Sequence, residues 1–337
     1  MLRRIFLLLI FALSPAALFA IDKPPAKARI SSPKDLADEY FKSGDYRNAV
    51  LELTKALKSN PKSASLWRNL GSAYAMGQDY DNAILCYERA LKRDSRDVKV
   101  LYNLSLVHNF KGSPEELKLA QAAAMAGLRE NPNHAGLHSS MGNIYADLNR
   151  DEDAFREYRR AIELNPKEAV THFNKGALHF KRHEIAEAER EYGETLALSP
   201  HDSEAAQNLA AIYILQERYV EAEKLNRWVI AQRPKSEDTL ENAYFNLGLV
   251  YDHQFRLERA VNMYKLALQV APWDAAAYVN TALILEKMDR KDEALTYWQK
   301  YQRLFPASRR NSEVAKRVVI LKKLVKLQKN PSGEEEP

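Results

Sequence analysis

The chain has 337 residues and a hydrophobic fraction of 46%, so it can bury a substantial core and is not intrinsically disordered. Its 50 basic and 45 acidic residues nearly balance, which excludes the concentrated positive charge of a nucleic-acid-binding protein. The single cysteine, Cys86, excludes an intrachain disulfide, so packing must supply the stability. Few glycines and prolines and an abundance of Ala, Leu, Lys and Glu favour a helical protein.

Residues 1–20 have the pattern of an export signal. Two arginines precede an uninterrupted apolar run over 5–13, and small residues follow, with Ala20 predicted as the last residue before cleavage. The sequence therefore predicts an exported protein, with the bacterial periplasm as its destination, and a linker over 21–29. An uncleaved membrane anchor is the alternative, because apolar or small residues over 5–21 reach the lower limit of a membrane span.

A period of 34 residues organises positions 30–308. Two segments illustrate it, because a large residue, a leucine, a glycine and a tyrosine recur at identical spacings: Trp67, Leu70, Gly71 and Tyr74 in one, and Tyr244, Leu247, Gly248 and Tyr251 in the other. Eight copies are predicted, over 30–63, 64–97, 98–134, 135–168, 169–202, 203–236, 241–274 and 275–308. The third copy carries about three extra residues near Gly112, and 237–240 separate the sixth copy from the seventh.

This pattern resembles the tetratricopeptide repeat family, whose signature is a large residue, Leu, Gly and Tyr, followed by Ala, an aromatic residue, Ala and Pro. The resemblance implies an all-α fold, a right-handed α-solenoid of about eight tandem helix hairpins. Small residues at the eighth and twentieth positions allow two helix backbones to approach closely, and the late proline ends the second helix. One hairpin cannot bury its apolar face alone, so stacking must make the core continuous.

Residues 309–329 are predicted to form one more amphipathic helix that caps the eighth copy. Its apolar residues fall on one side: Val314, Val318, Leu321, Leu324 and Val325. Contact of its lysines with anionic lipid is the alternative interpretation. The polar residues 330–337 are predicted to form a disordered tail.

The predicted binding site is a concave groove, which the resemblance places on the first helix of each hairpin. The sixth position is asparagine in six copies, and only Asp35 and Ser140 break the series. A primary amide can pair with the backbone of an extended polypeptide whatever its sequence, and nearby aromatic residues suit anchor pockets. Helix packing is the alternative for both sets. The predicted groove residues are Arg68, Asn69, Tyr102, Asn103, Phe173, Asn174, Phe180, Asn208, Phe245, Asn246 and Asn280.

Catalytic and metal chemistry is not predicted. His172 and His179 have a spacing that a metal site needs, but they fall where the family places packed aromatic residues, and His183 falls in a turn. The sequence contains no phosphate-binding glycine loop and no serine elbow. We therefore expect no cofactor, no metal site and no enzymatic activity.

The sequence predicts a protein–protein interaction scaffold in the cell envelope that holds a partner protein or an extended peptide in its groove. Two alternatives stay open: a docking subunit of an envelope enzyme or transporter complex, and a small-ligand carrier that uses the aromatic residues of the groove. We expect no nucleic-acid partner, and membrane contact only through an uncleaved N-terminal segment.

Overall fold

The computed structural model describes residues 33–234, 236–306, 308 and 311–329. The predicted signal peptide (1–20), linker (21–29) and tail (330–337) lie outside these residues, as does the very beginning of the first predicted copy. In the part that is described, no helix combines the length and the apolar character that a membrane span requires.

Every regular element among the described residues is an α-helix. The first helices of the successive hairpins are α1 (Pro33–Ser43), α3 (Ala64–Met76), α5 (Val98–Lys111), α7 (Ala135–Asp147), α9 (Ala169–Lys181), α11 (Ser203–Leu215), α13 (Glu237–His253) and α15 (Ala275–Lys287). The second helices are α2 (Tyr46–Ser59), α4 (Tyr80–Leu91), α6 (Pro114–Glu130), α8 (Asp151–Leu164), α10 (Ile185–Leu198), α12 (Tyr219–Ala231), α14 (Leu257–Val270) and α16 (Lys291–Leu304). A final helix, α17, spans Asn311–Lys329. The predicted all-α hairpin fold with a C-terminal capping helix is confirmed.

The helices belong to two compact units, one that ends at Glu191 and one that begins at Tyr192. In the first unit, α1 to α8 pack as consecutive hairpins, and α8 in turn packs on α9. In the second unit, the same arrangement runs from α11 to α16. Because each hairpin packs on its sequence neighbours, the apolar interior of each unit is built from local contacts.

The turn inside every hairpin uses one residue in the left-handed conformation. This residue occupies the fifteenth position of each predicted copy: Gly44, Gln78, Gly112, Asn149, His183, Glu217, Phe255 and Asp289. Only two of the eight are glycine, the residue that adopts positive φ without steric strain. The other six side chains are held there by the packing of the two helices that the turn connects.

Glycines of the first helices lie directly against tyrosines of the second helices. Three hairpins have this contact, between Gly71 and Tyr87, Gly142 and Tyr158, and Gly248 and Tyr264. A Cβ atom at these glycines would come within 2.5–2.6 Å of the tyrosine ring. All three tyrosines are fully buried. Glycine at this position therefore sets how closely the two helices of a hairpin pack.

The insertions predicted from the repeat register are helical. Residues 237–240, which separate the sixth and seventh predicted copies, form the first turn of α13. The extra residues of the third copy lengthen α6 to 17 residues, and the turn before it keeps its short length. Ser113 caps α6 by accepting a hydrogen bond from the backbone N–H of Glu116 at 3.2 Å.

Helix α17 packs on α16 and covers the end of the second unit. Val314, Val318 and Leu321 join Trp298 and Tyr301 in one buried cluster. Leu324, which the sequence pattern placed on the same side, is instead partly exposed. The buried face of α17 is thus narrower than predicted.

Candidate functional site

The residue that caps the start of α5 also contacts a predicted groove residue. Asp97 caps α5 by accepting hydrogen bonds from the backbone N–H groups of Lys99 (3.0 Å) and Val100 (3.3 Å). Its carboxylate also forms an ion pair with the guanidinium of Arg68 in the preceding first helix. Both side chains of this pair are nearly buried. The structure therefore places Arg68, a predicted groove residue, between two first helices.

The predicted asparagines are mostly buried. Asn69, Asn103, Asn174 and Asn246 have little or no exposed surface. The Asn103 amide donates a hydrogen bond to Ser72 Oγ at 3.1 Å, and the Asn174 amide donates one to Asn143 Oδ1 at 2.9 Å. These are the contacts of an asparagine that bridges neighbouring first helices.

Tyrosines of the second helices complete two buried polar networks, which we call the polar relays. In one, the Tyr87 hydroxyl and the Asn103 amide both lie within hydrogen-bond distance of Ser72 Oγ, the hydroxyl at 3.2 Å. In the other, the Tyr158 hydroxyl donates to Asn143 Oδ1 at 2.7 Å, and the Asn174 amide donates to the same oxygen. Burial raises the pKa of the Tyr158 hydroxyl well above its usual value. Each relay thus joins both helices of one hairpin to the first helix of the next.

The predicted aromatic anchors also lie largely in the core. Phe173, Phe180 and Phe245 are buried. The Phe245 ring packs edge-on against Tyr264, with 5.3 Å between the ring centroids. Tyr102 is only partly buried, and its ring lies 5.3 Å from that of His134. Contact of these residues with a partner remains a prediction, and Tyr102 is the one of the four that retains some exposed surface.

A smaller set of first-helix side chains remains accessible. Asn208 and Asn280 are partly exposed, although the Asn280 Nδ2 atom itself is buried and has no hydrogen-bond partner among the described residues. Lys42, Asp147 and Lys181 are exposed and share the thirteenth position of their copies. Lys181 Nζ donates to Asn149 Oδ1 at 2.9 Å. The exposed first-helix side chains at this position are therefore charged, and none of the three is among the predicted groove residues.

A buried charge cluster was missed by the sequence analysis. Glu191 accepts hydrogen bonds from His172 Nδ1 at 2.8 Å and from Lys175 Nζ at 2.7 Å. Burial alone would raise the pKa of Glu191, but these two bonds outweigh it and lower the pKa to about 2. His138 and Glu157 form the corresponding pair in the preceding hairpin, at 2.6 Å and with the same sequence spacing. The same spacing of histidine and glutamate in two successive copies could have revealed these pairs from the sequence.

The remaining candidates for chemistry serve the fold. His179 hydrogen-bonds to Glu184 at 2.6 Å, and His183 is the left-handed residue of its turn. No group of three potential metal ligands occurs in the described ranges. Cys86 is buried, and burial raises the pKa of its thiol to about 12, which keeps it protonated and unreactive.

Comparison with protein-family models finds tetratricopeptide repeats along the chain. Five models of this family match, over residues 34–98, 142–182, 179–238, 241–272 and 276–308. A search of curated proteins finds no match. The family models therefore identify the type of repeat, but no individual curated relative.

Solved structures share the fold. The Cut9 complex with Hcn1 matches with a TM-score of 0.62 and 15% identity over 85% of this chain and 55% of that one, so the chain spans about half the length of this neighbour. A tetratricopeptide repeat protein from Parabacteroides merdae matches with a TM-score of 0.53 and 21% identity, over 75% of this chain and 97% of that one. PilF from Pseudomonas aeruginosa matches with a TM-score of 0.56 and 18% identity, over 65% and 98%.

The repeat models, the consecutive hairpins and the structural neighbours agree with one another. Repeats of this type form stacked helix pairs that serve as protein-binding modules, which supports a role in protein–protein interaction. The chain belongs to the tetratricopeptide repeat family.

Proposed function

We propose that the chain is an interaction scaffold of the cell envelope that binds a partner polypeptide along its first helices. The contact is made by side chains at the thirteenth position of four of the five copies in the first unit, Lys42, Phe110, Asp147 and Lys181, which we call the first-helix surface. The remaining copy has the buried Met76 at this position. The observation that carries the proposal is the exposure of the first-helix surface: three of its side chains are open to solvent, whereas most of the predicted asparagines and phenylalanines are packed inside.

The chemistry of the first-helix surface supports a partner of mixed character. Two lysines and one aspartate provide charges of both signs at neutral pH, although burial of the carboxyl group raises the pKa of Asp147 to about 6. The surface therefore does not select a strongly acidic or a strongly basic segment. Phe110 is partly buried and stacks parallel on Tyr80, with 5.9 Å between the ring centroids. A rigid aromatic pair among charges suits one apolar anchor of an otherwise polar segment.

The neighbours support the binding of a partner chain. Cut9 forms a hetero-tetramer with Hcn1. A stack of hairpins presents one side chain of the same register position per repeat, which matches the extended form of a polypeptide better than a compact small molecule. We therefore favour a protein partner over a small ligand.

The envelope location rests on residues 1–20. Their charged start, apolar run and small residues support export, with Ile21 as the first residue of the mature chain. Fractionation of the native cells and N-terminal sequencing of the protein test this. A cytoplasmic protein that retains its first residues would refute export without affecting the first-helix surface.

Site-specific photocrosslinking tests the binding surface. A photoreactive residue replaces Lys181 on a first helix or, as the matched control, the exposed Arg159 on the second helix α8. We expect polypeptide crosslinks from position 181 and not from position 159. Equal yields from both positions, or crosslinks from position 159 alone, would exclude the first-helix surface as the binding site.

A further inference from the structure

The C-terminal helix α17 has a second face that no part of the described structure covers. Its inner side, which includes Val314 and Val325, is buried. The opposite side consists of residues at helical spacing that share exposure to solvent: Lys316, Val319, Ile320, Lys323 and Leu327. We call these five residues the outer face of α17. Val319, Ile320 and Leu327 are 54%, 56% and 61% exposed, which is unusual for three aliphatic side chains on one helix.

The charge of α17 is strongly one-sided. Its lysines at positions 316, 322, 323 and 326 are exposed and form no ion pair within the described part of the chain. Arg317 is the exception, because its guanidinium lies 3.1 Å from the carboxylate of Glu286. Glu313 is the acidic residue of the helix, and it lies 3.9 Å from the same arginine. Four unpaired positive charges therefore surround the exposed aliphatic side chains.

We propose that the outer face of α17 binds the surface of a membrane that contains anionic phospholipids. The helix lies parallel to the membrane, its aliphatic side chains enter the interface between headgroups and acyl chains, and its lysines contact lipid phosphates. Lysine suits this position because its long apolar stem follows the acyl region while the ammonium group remains at the headgroups.

The composition of the face favours a membrane over a protein. A second copy of the chain would bring the same lysines together, and like charges repel. An acidic protein partner would attract the lysines, but protein interfaces are depleted in lysine and depend on aromatic or arginine anchors, and the outer face offers neither. An exposed face of aliphatic and lysine side chains instead suits the interface between lipid headgroups and acyl chains.

Vesicle binding by the full chain tests this inference. The protein is sedimented with vesicles of phosphatidylcholine alone or with about one-third phosphatidylglycerol, and we expect at least about 10-fold tighter binding to the anionic vesicles. The variants K316E/K323E and I320S/L327S should each lose most of this preference. The control K58E/K62E makes the same change in charge on exposed residues of the first unit and should bind like the unmodified chain. The N-terminal segment is identical in all four proteins, so it cannot account for a difference.

A fluorescent probe locates the contact. Cys86 is buried, so a cysteine introduced at position 319 can be labelled selectively with an environment-sensitive fluorophore. We expect a blue shift of its emission with anionic vesicles and none for the same label at the exposed position 118. Circular dichroism checks that the variants retain their helices. Binding that does not depend on lipid charge, binding that survives K316E/K323E, or capture of an acidic protein by this face in the absence of any vesicle binding would overturn the proposal.

Discussion

The two units of the molecule stack helix hairpins in the same way, but they differ in what lies between successive first helices. In the first unit, the ninth position supplies the polar acceptors Ser72 and Asn143, and both polar relays pass through them. In the second unit, the same position is apolar in every copy: Ala211, Leu249 and Leu283. The two polar relays thus depend on a polar residue at the ninth position of the first helix that precedes the asparagine.

One repeat signature can therefore support two kinds of contact between successive first helices. Polar relays require every member to be paired, because an unpaired buried donor costs more free energy than the bond contributes. An apolar interior tolerates the loss of a single contact and depends on volume and shape.

Exchanging the polar and apolar residues of the ninth position between the units should change the free energy of unfolding most. Asn143→Leu removes the shared acceptor of Tyr158 and Asn174, so two buried donors lose their bonds and the free energy of unfolding should fall by about 3–4 kcal/mol. Leu249→Asn makes the reverse change in the second unit, and its loss of about 2 kcal/mol should be smaller because the unpaired Asn280 amide gains an acceptor. Urea unfolding and hydrogen exchange of each variant measure the losses. Equal losses would show that the relays confer no special constraint.

Removing the buried charge of Glu191 tests how much electrostatic interactions contribute to the stability of the first unit. Because the pKa of Glu191 is lowered to about 2 in the folded chain, its contribution to stability is present above the ordinary pKa near 4.5 and is lost as the pH falls toward 2. Glu191→Gln should therefore cost about 3 kcal/mol at pH 7 and almost nothing near pH 2. Thermal unfolding across this pH range measures the effect. Glu187→Gln, an exposed change on the same helix, should leave the pH profile unchanged.

The second unit contains a glutamate, Glu204, whose pKa is shifted in the opposite direction from that of Glu191. Burial, and then the nearby charge of Asp202, raise the pKa of Glu204 to about 7. The protonated form stabilises the fold, so its contribution is complete below pH 4.5 and is lost as the pH rises through 7. Glu204→Gln cannot ionise and should raise the free energy of unfolding at pH 8 by about 1–2 kcal/mol, with no change at pH 4. A pH-independent difference between the variant and the unmodified chain would contradict this assignment.

The turns should behave alike in both units, which makes them the internal control. Gln78 in the first unit and Phe255 in the second have φ values of 63° and 58°, where glycine is free of strain. Gln78→Gly and Phe255→Gly should each stabilise the chain by about 0.5–1 kcal/mol. Thermal unfolding detects this as a small rise in the melting temperature. A gain in only one unit would mean that the turns, and not only the helix interfaces, differ between the units.

Much of the fold was predictable because the repeat signature reports local packing. The spacing of small and aromatic residues predicted helix pairs, and α3, α5, α7 and α9 begin at Ala64, Val98, Ala135 and Ala169, the first residues of four predicted copies. Proline and glycine signals locate helix ends for the same physical reason in any sequence. The signature could not tell that residues 237–240 extend a helix, since an insertion of one helical turn preserves the apolar face on either side of it.

The site was less predictable, because register position alone does not fix exposure. Asn103 and Asn174 occupy positions that the resemblance assigns to the groove, yet their amides already donate hydrogen bonds to Ser72 and Asn143. The acceptor of each of these two amides is the residue at the ninth position of the previous copy, a contact between repeats that a signature within one repeat omits. The partner of Glu191 was equally hidden, although the matching pair of His138 and Glu157 repeats its spacing.

Hydrogen–deuterium exchange of the chain with and without its captured partner can show whether the first helices bind the partner, because it reports on every helix at once. A scaffold that binds through its first helices should show slowed exchange in α5, α7 and α9 when the partner is bound, with α4, α6 and α8 unchanged. Protection confined to the second helices, or exchange that the partner does not alter in any first helix, would rule out binding through the first helices.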